Sequence, residues 1–123
     1  MAQREDQQPP WRISADEFLR AFKYAMEYFP QDLKWGGKKD WREDLGSLGL
    51  TEALARGIIQ RDLTTAHVLH GPESDDEHSD GSVVIFKYPV PGNGVAYVKL
   101  GLRPHGQTKN RLIPKIWSFK RST

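Results

Sequence analysis

Two hydrophobic periods divide this chain, and together they leave few folds open to it. From Ser14 to about Arg61, apolar residues recur at spacings of three and four. From Ala66 onward they come in short β-branched and aromatic runs bounded by Gly and Pro. The first pattern suits helices that bury one stripe. The second suits strands spaced too closely for parallel crossovers, so the expected sheet is antiparallel. Helices followed by such strands predict an α+β domain, with N-terminal helices packed on a curved antiparallel sheet. The 123 residues accommodate one domain of this kind.

Residues 1–12 are polar and contain Pro9 and Pro10, which reads as a loose arm that docks through Trp11. The helical part covers 13–62. Ser14 and Glu17 have the spacing of a capping box, and Phe18, Leu19, Phe22, Ala25, Met26 and Phe29 form the stripe that follows. Pro30 and the glycines at 36 and 37 end that helix. Residues 41–49 suggest a short helix or turn that stops at Gly46 and Gly49. Thr51 caps a third helix, whose apolar face is Leu54, Ile58 and Ile59.

The sheet is expected across 66–121, with strands near 66–70, 83–88, 95–102 and 113–119. Gly71 and Pro72 end the first strand, and the acidic run 73–81 is a loop. Alternation then sorts side chains by face. Val98, Leu100 and Leu102 share one face of their strand; Val95, Tyr97 and Lys99 share the other. In the last strand Trp117 and Phe119 face one way, and Ile116, Ser118 and Lys120 the other. With the apolar faces toward the helices, Tyr97, Lys99, Ser118 and Lys120 meet on the open side.

Charge reinforces this division. Residues 82–123 carry eight Lys or Arg and no acid; residues 1–81 carry ten against sixteen, so +8 and −6 make the net +2. A block of one sign points to a polyanion or an acidic partner.

Composition closes several routes. The chain has no cysteine, which removes disulfides, thiolate metal sites and thiol nucleophiles. No apolar run approaches the ~18 residues of a membrane span, and the opening residues lack a signal peptide's apolar centre, so the expected location is cytoplasmic. His67, His70, His78 and His105 lack metal-ligand spacing, and Gly92 with Gly94 suits a hairpin rather than a nucleotide cradle. Neither metal nor cofactor is expected. A basic surface bearing Tyr97 and a few histidines suits metal-independent RNA cleavage, in which the substrate's own 2′-hydroxyl attacks the adjacent phosphate. The protein has then to accept a proton, donate one and stabilise the phosphorane. The alternative is a non-catalytic module for nucleic acid or an acidic protein, with Tyr88 and Tyr97 as candidate stacking aromatics. A third reading is an antitoxin-like or immunity-like partner without chemistry.

Four landmarks carry a family resemblance. They are Leu50-Thr51 with Ala55, Ile58, Ile59 and Leu63; the strand opening at Ala66-His67-Val68-Leu69-His70; Ala96-Tyr97-Val98-Lys99-Leu100 after Val83-Val84-Ile85-Phe86; and the ending Trp117-Ser118-Phe119-Lys120. In order and spacing they resemble the MqsR family of bacterial toxins over residues 48–121. The resemblance implies a RelE-like RNase fold, an mRNA substrate, an endoribonuclease activity and a cognate antitoxin. By position Tyr97 matches the family's active-site tyrosine and Lys120 its C-terminal lysine. His70 stands where the family has a catalytic lysine. The family's active-site glutamine has no identical counterpart; Phe86 and Lys87 lie near its place. On this reading His70 and Tyr97 transfer protons, Lys120 stabilises the phosphorane, and Lys87, Lys99, Arg103 and Arg121 bind backbone phosphates.

Overall fold

A computed structural model describes residues 13–36, 40–76, 80–106 and 111–122. The expected arm at 1–12, with Trp11, and His78 in the acidic run lie outside the described residues.

The first helix, α1 (Ala15–Tyr28), starts where the sequence places it. Ser14 Oγ accepts a hydrogen bond from the Glu17 backbone N–H at 3.1 Å, and Glu17 Oε1 accepts one from the Ser14 backbone N–H at 3.1 Å. The backbone bond from Ser14, then its side-chain bond, hold the Glu17 carboxyl below its ordinary value of 4.5. A depressed carboxylate supports the folded state above that value and loses this support as pH falls through its folded pKa. Replacing Ser14 with Ala is expected to cost about 1 kcal/mol, read as an earlier urea midpoint with an unchanged slope.

Beyond Pro30 the chain makes a two-residue strand, β1 (Lys34–Trp35), then α2 (Trp41–Ser47) and α3 (Glu52–Gly57). Asp40 caps α2 by accepting from the Arg42 N–H at 2.9 Å, and Thr51 caps α3 by accepting from the Leu54 N–H at 3.2 Å. Past Gly57 the third helix widens into a π-helical turn over Ile58–Asp62. Its buried stripe is Ala55, Ile59 and Leu63, each four residues apart, so the expected stripe member Leu54 is left 51% exposed. Lys23 Nζ donates to the Leu63 carbonyl at 2.8 Å and ties α1 to the end of this segment.

The remaining strands are β2 (Val68–Ser74), β3 (Ser82–Pro89), β4 (Val95–Pro104) and β5 (Leu112–Arg121). The sheet order is β1-β5-β4-β3-β2. Four strands are antiparallel, as expected; β1 lies parallel to β5, with Lys34 beside Lys115 and Trp35 beside Ile116. The sheet is therefore mixed and open rather than purely antiparallel. Two residues are too few to show a period, which is why β1 is invisible in the sequence.

One face of the sheet, with Val84, Phe86, Val98, Leu100, Ile116 and Phe119, shares a core with Phe18, Phe22, Leu45, Leu48 and Ile59 of the helices. Ala66 and His67 belong to a short 3-10 turn rather than to the strand. β2 also does not stop at Gly71 and Pro72. Gly71 adopts φ 104° beside a register shift, and a Cβ there would lie 2.7 Å from the Val83 carbonyl oxygen, so the strand passes through only because this residue is glycine. Glu73 and Ser74 are thus strand residues, and Asp75 is buried, its N–H bonded to the Gly81 carbonyl at 3.0 Å. The expected acidic loop at 73–81 therefore loses Glu73 and Ser74 to the strand, and its residues 77–79 lie outside the described residues.

Candidate nucleic-acid interface

Residues aligned across an antiparallel sheet share a face, so strand register determines which side chains meet. Lys87 on β3 is opposite Tyr97 on β4, and Tyr97 is opposite Lys120 on β5. The next row is Ile85, Lys99 and Ser118, and the one after it Val83, Gly101 and Lys115. Arg103 continues the series on β4, and Lys34 joins it beside Lys115. Lys34, Lys87, Lys99, Arg103, Lys115 and Lys120 therefore occupy the open face together with Tyr97. Lys120 Nζ sits 5.6 Å from the centre of the Tyr97 ring. The expected grouping of Tyr97, Lys99, Ser118 and Lys120 is met. Lys34 and Lys115 were not anticipated. Lys34 lies in the acidic part of the sequence, and Lys115 depends on a register that alternation alone misjudges.

That misjudgment has one cause. Lys99 is opposite Ser118, but Leu100 is opposite Ile116, so β5 carries an extra residue at Trp117. A β-bulge of this kind changes which residues face which way on either side of it. Ile116 and Phe119, three residues apart, are both in the core at 0% and 1% exposure. Ile116 was expected on the open side and Trp117 with the core; both assignments are corrected. The Trp117 indole lies on the open face, where a Cβ on Gly101 would come within 2.7 Å of its Nε1.

His70 is opposite Ile85, in the row of Lys99. It lies two strands from Tyr97, about 10 Å across the sheet. Its Nε2 is 2.9 Å from Glu73 Oε1, a half-exposed pair at the β2 edge. The fold brings His70 to the correct side but not against Tyr97.

Arg121, expected to bind phosphate, is elsewhere. It is opposite Ala96, a core-facing position, and its guanidinium donates to the Ser47 carbonyl and, at 2.8 Å, to the Asn93 carbonyl. Arg121 therefore ties the β3–β4 turn to α2. Arg111 is likewise committed, bonded to Asp32 and stacked 4.2 Å over Phe29. Lys109 lies outside the described residues.

Tyr88 also faces away from the open side. It is opposite the buried Ala96 and meets the His67 ring edge-on at 5.0 Å. Burial, then the charge and hydrogen bond of Asp62, push its phenol above the usual 10.0. A half-buried phenol that packs against the core and bonds a carboxylate lies off the open face, away from its lysines.

No family model, curated protein or solved structure matches this chain. Its reading therefore rests on the chemistry of the open face. Among the described residues, no group of three or more His, Asp or Glu is placed to hold a metal ion. No helix among them is long and apolar enough to cross a membrane. What the face offers, among the described residues, is six cations, a phenol and an indole, with Glu73 at its margin.

Proposed function

We propose that this protein binds single-stranded RNA on the open face of its sheet and cleaves it without a metal. It would thus act as an endoribonuclease toxin of the RelE-like kind that the MqsR resemblance implies. The observation that carries this reading is the row Lys87–Tyr97–Lys120, a phenol flanked on the neighbouring strands by two ammonium groups. In the proposed reaction the 2′-oxygen loses its proton and attacks phosphorus, the bond to the 5′-oxygen breaks, and that oxygen takes up a proton. The products are a 2′,3′-cyclic phosphate and a 5′-hydroxyl. Tyr97 and His70 divide the two proton transfers, and Lys87 and Lys120 stabilise the charge that builds on the phosphorane. Lys99, Arg103 and Lys115 hold flanking phosphates. The natural partner of such a face is an antitoxin whose acidic surface covers it.

The deciding experiment is incubation of the purified protein with unstructured RNA in EDTA. Cleavage leaving cyclic phosphate ends is the expected result. Binding without strand scission would favour the second reading, a non-catalytic RNA module. That reading draws on the separation of His70 from Tyr97 and on the Glu73 contact that already engages the imidazole.

Binding itself is expected to depend steeply on salt. With five phosphates neutralised on a single strand, log affinity falls against log salt with a slope of about −3.5. Lys99→Gln and Arg103→Gln should each reduce that slope by roughly 0.7. Affinity unaffected by salt would remove the phosphate assignment.

A further inference from the structure

The open face holds an aromatic that neither the proposed cleavage row nor the core uses. Because of the bulge in β5, Trp117 turns outward, and its indole spans two positions without side chains. At Gly101 an added Cβ would come within 2.7 Å of Nε1. At Gly36 it would meet Lys115 Cε at 2.5 Å and the indole Cε3 at 3.1 Å. The ring thus rests on bare backbone at Gly101, where any side chain would lift it, and at the Gly36 end it packs together with the Lys115 stem. Two ammonium groups attend it, Lys115 Nζ at 3.4 Å from a ring centre and Lys99 Nζ at 5.6 Å. The indole N–H is buried against Gly101 and finds no hydrogen-bond partner among the described residues, so contact alone holds the ring in place. Among the described residues the open face has one other aromatic, Tyr97. Gly101 lies four residues along β4 from it, a distance of about 13 Å.

We propose that Trp117 is the stacking platform for an unpaired nucleobase, a few nucleotides from the phosphate held at the Tyr97 row. This rests on the reading of the open face as an RNA surface and adds how that surface registers the strand. Single-stranded nucleic acids bind where a basic track carries aromatic rings, because every base has a π-face to stack and every nucleotide a phosphate to neutralise. Trp117 supplies the ring. Lys115 and Lys99 supply the charge, and on binding Lys115 gives up its place over the indole to the base and moves to the adjoining phosphate.

The test is a fluorescence titration with a short, unstructured ribo-oligonucleotide, 2′-O-methylated so that it is not cleaved. Wild-type tryptophan emission should be quenched on binding, and the Trp117→Phe difference should account for most of that quenching. Trp117→Ala should weaken binding about fivefold to a hundredfold. A series of oligonucleotides, each lacking one base, is run against the wild-type protein, so that the answer does not depend on a variant folding. One abasic position should lose affinity for the wild type and none further for Trp117→Ala. Binding with no abasic position singled out and equal affinity for Trp117→Ala would overturn the platform while leaving the RNA surface standing. Failure of the wild type to bind the oligonucleotide at all would overturn both.

Discussion

Tyr97→Phe is expected to lower the single-turnover rate of RNA cleavage about a hundredfold to ten-thousandfold, the span associated with losing a positioned proton-transfer group. The substitution removes one oxygen. The ring that lies 5.6 Å from Lys120 Nζ remains, as does the pairing with Lys87 and Lys120 across three strands. Stability and RNA affinity should therefore change little, which separates this variant from one that fails by unfolding. In cells the expected outcome is relief of growth arrest at matched protein levels. A Tyr97→Phe protein that cleaves at the wild-type rate would remove the phenol from the mechanism. Lys120→Ala supplies the complementary test: it too should slow cleavage, through lost stabilisation of the phosphorane, with only a modest loss of binding.

The largest expected effect on stability lies one residue from Lys87 and on the opposite face of the same strand. Phe86 is fully buried, opposite Val68 on one side and Val98 on the other, in the cluster that contains Phe18 and Phe22. Phe86→Ala is expected to cost about 3–5 kcal/mol, the transfer free energy of the ring together with the cavity it leaves. Domains of this size are typically stable by only about 5–15 kcal/mol, so the variant should unfold at much lower urea and show a lower thermal midpoint. A midpoint close to wild type would mean that the helices close over the gap. Lys87→Ala, whose side chain is exposed on the open face, should leave the midpoint almost unchanged while weakening RNA binding.

Much of the fold was legible because it is local. The Ser14–Glu17 box, the stripe from Phe18 to Met26, the cap at Thr51, and the alternation of β4 are each decided within a few residues, where backbone geometry and burial dictate which side chain goes where. Tyr97, Lys99 and Lys120 were placed correctly because β4 alternates without interruption and because the stretch of β5 beyond the bulge keeps its register. The uneven distribution of charge was legible as well, but not its use. Arg111 and Arg121 look like their neighbours in the sequence, yet the fold turns them to Asp32 and to the carbonyls of Ser47 and Asn93, leaving the open face to the others.

The amino-acid order by itself determined a helical half, a stranded half and a basic third, since period and composition are properties of neighbours along the chain. Only the tertiary structure decided that Trp117 points outward with the lysines while Ile116 enters the core, that Lys34 and Lys115 join the open face, and that His70 stands two strands from Tyr97. The reason is that a period of two reports a side chain's face only as long as pairing runs unbroken. One extra residue in β5 changes the assignment, and what compels the extra residue, a core that takes both Ile116 and Phe119, is assembled from segments far apart in the chain.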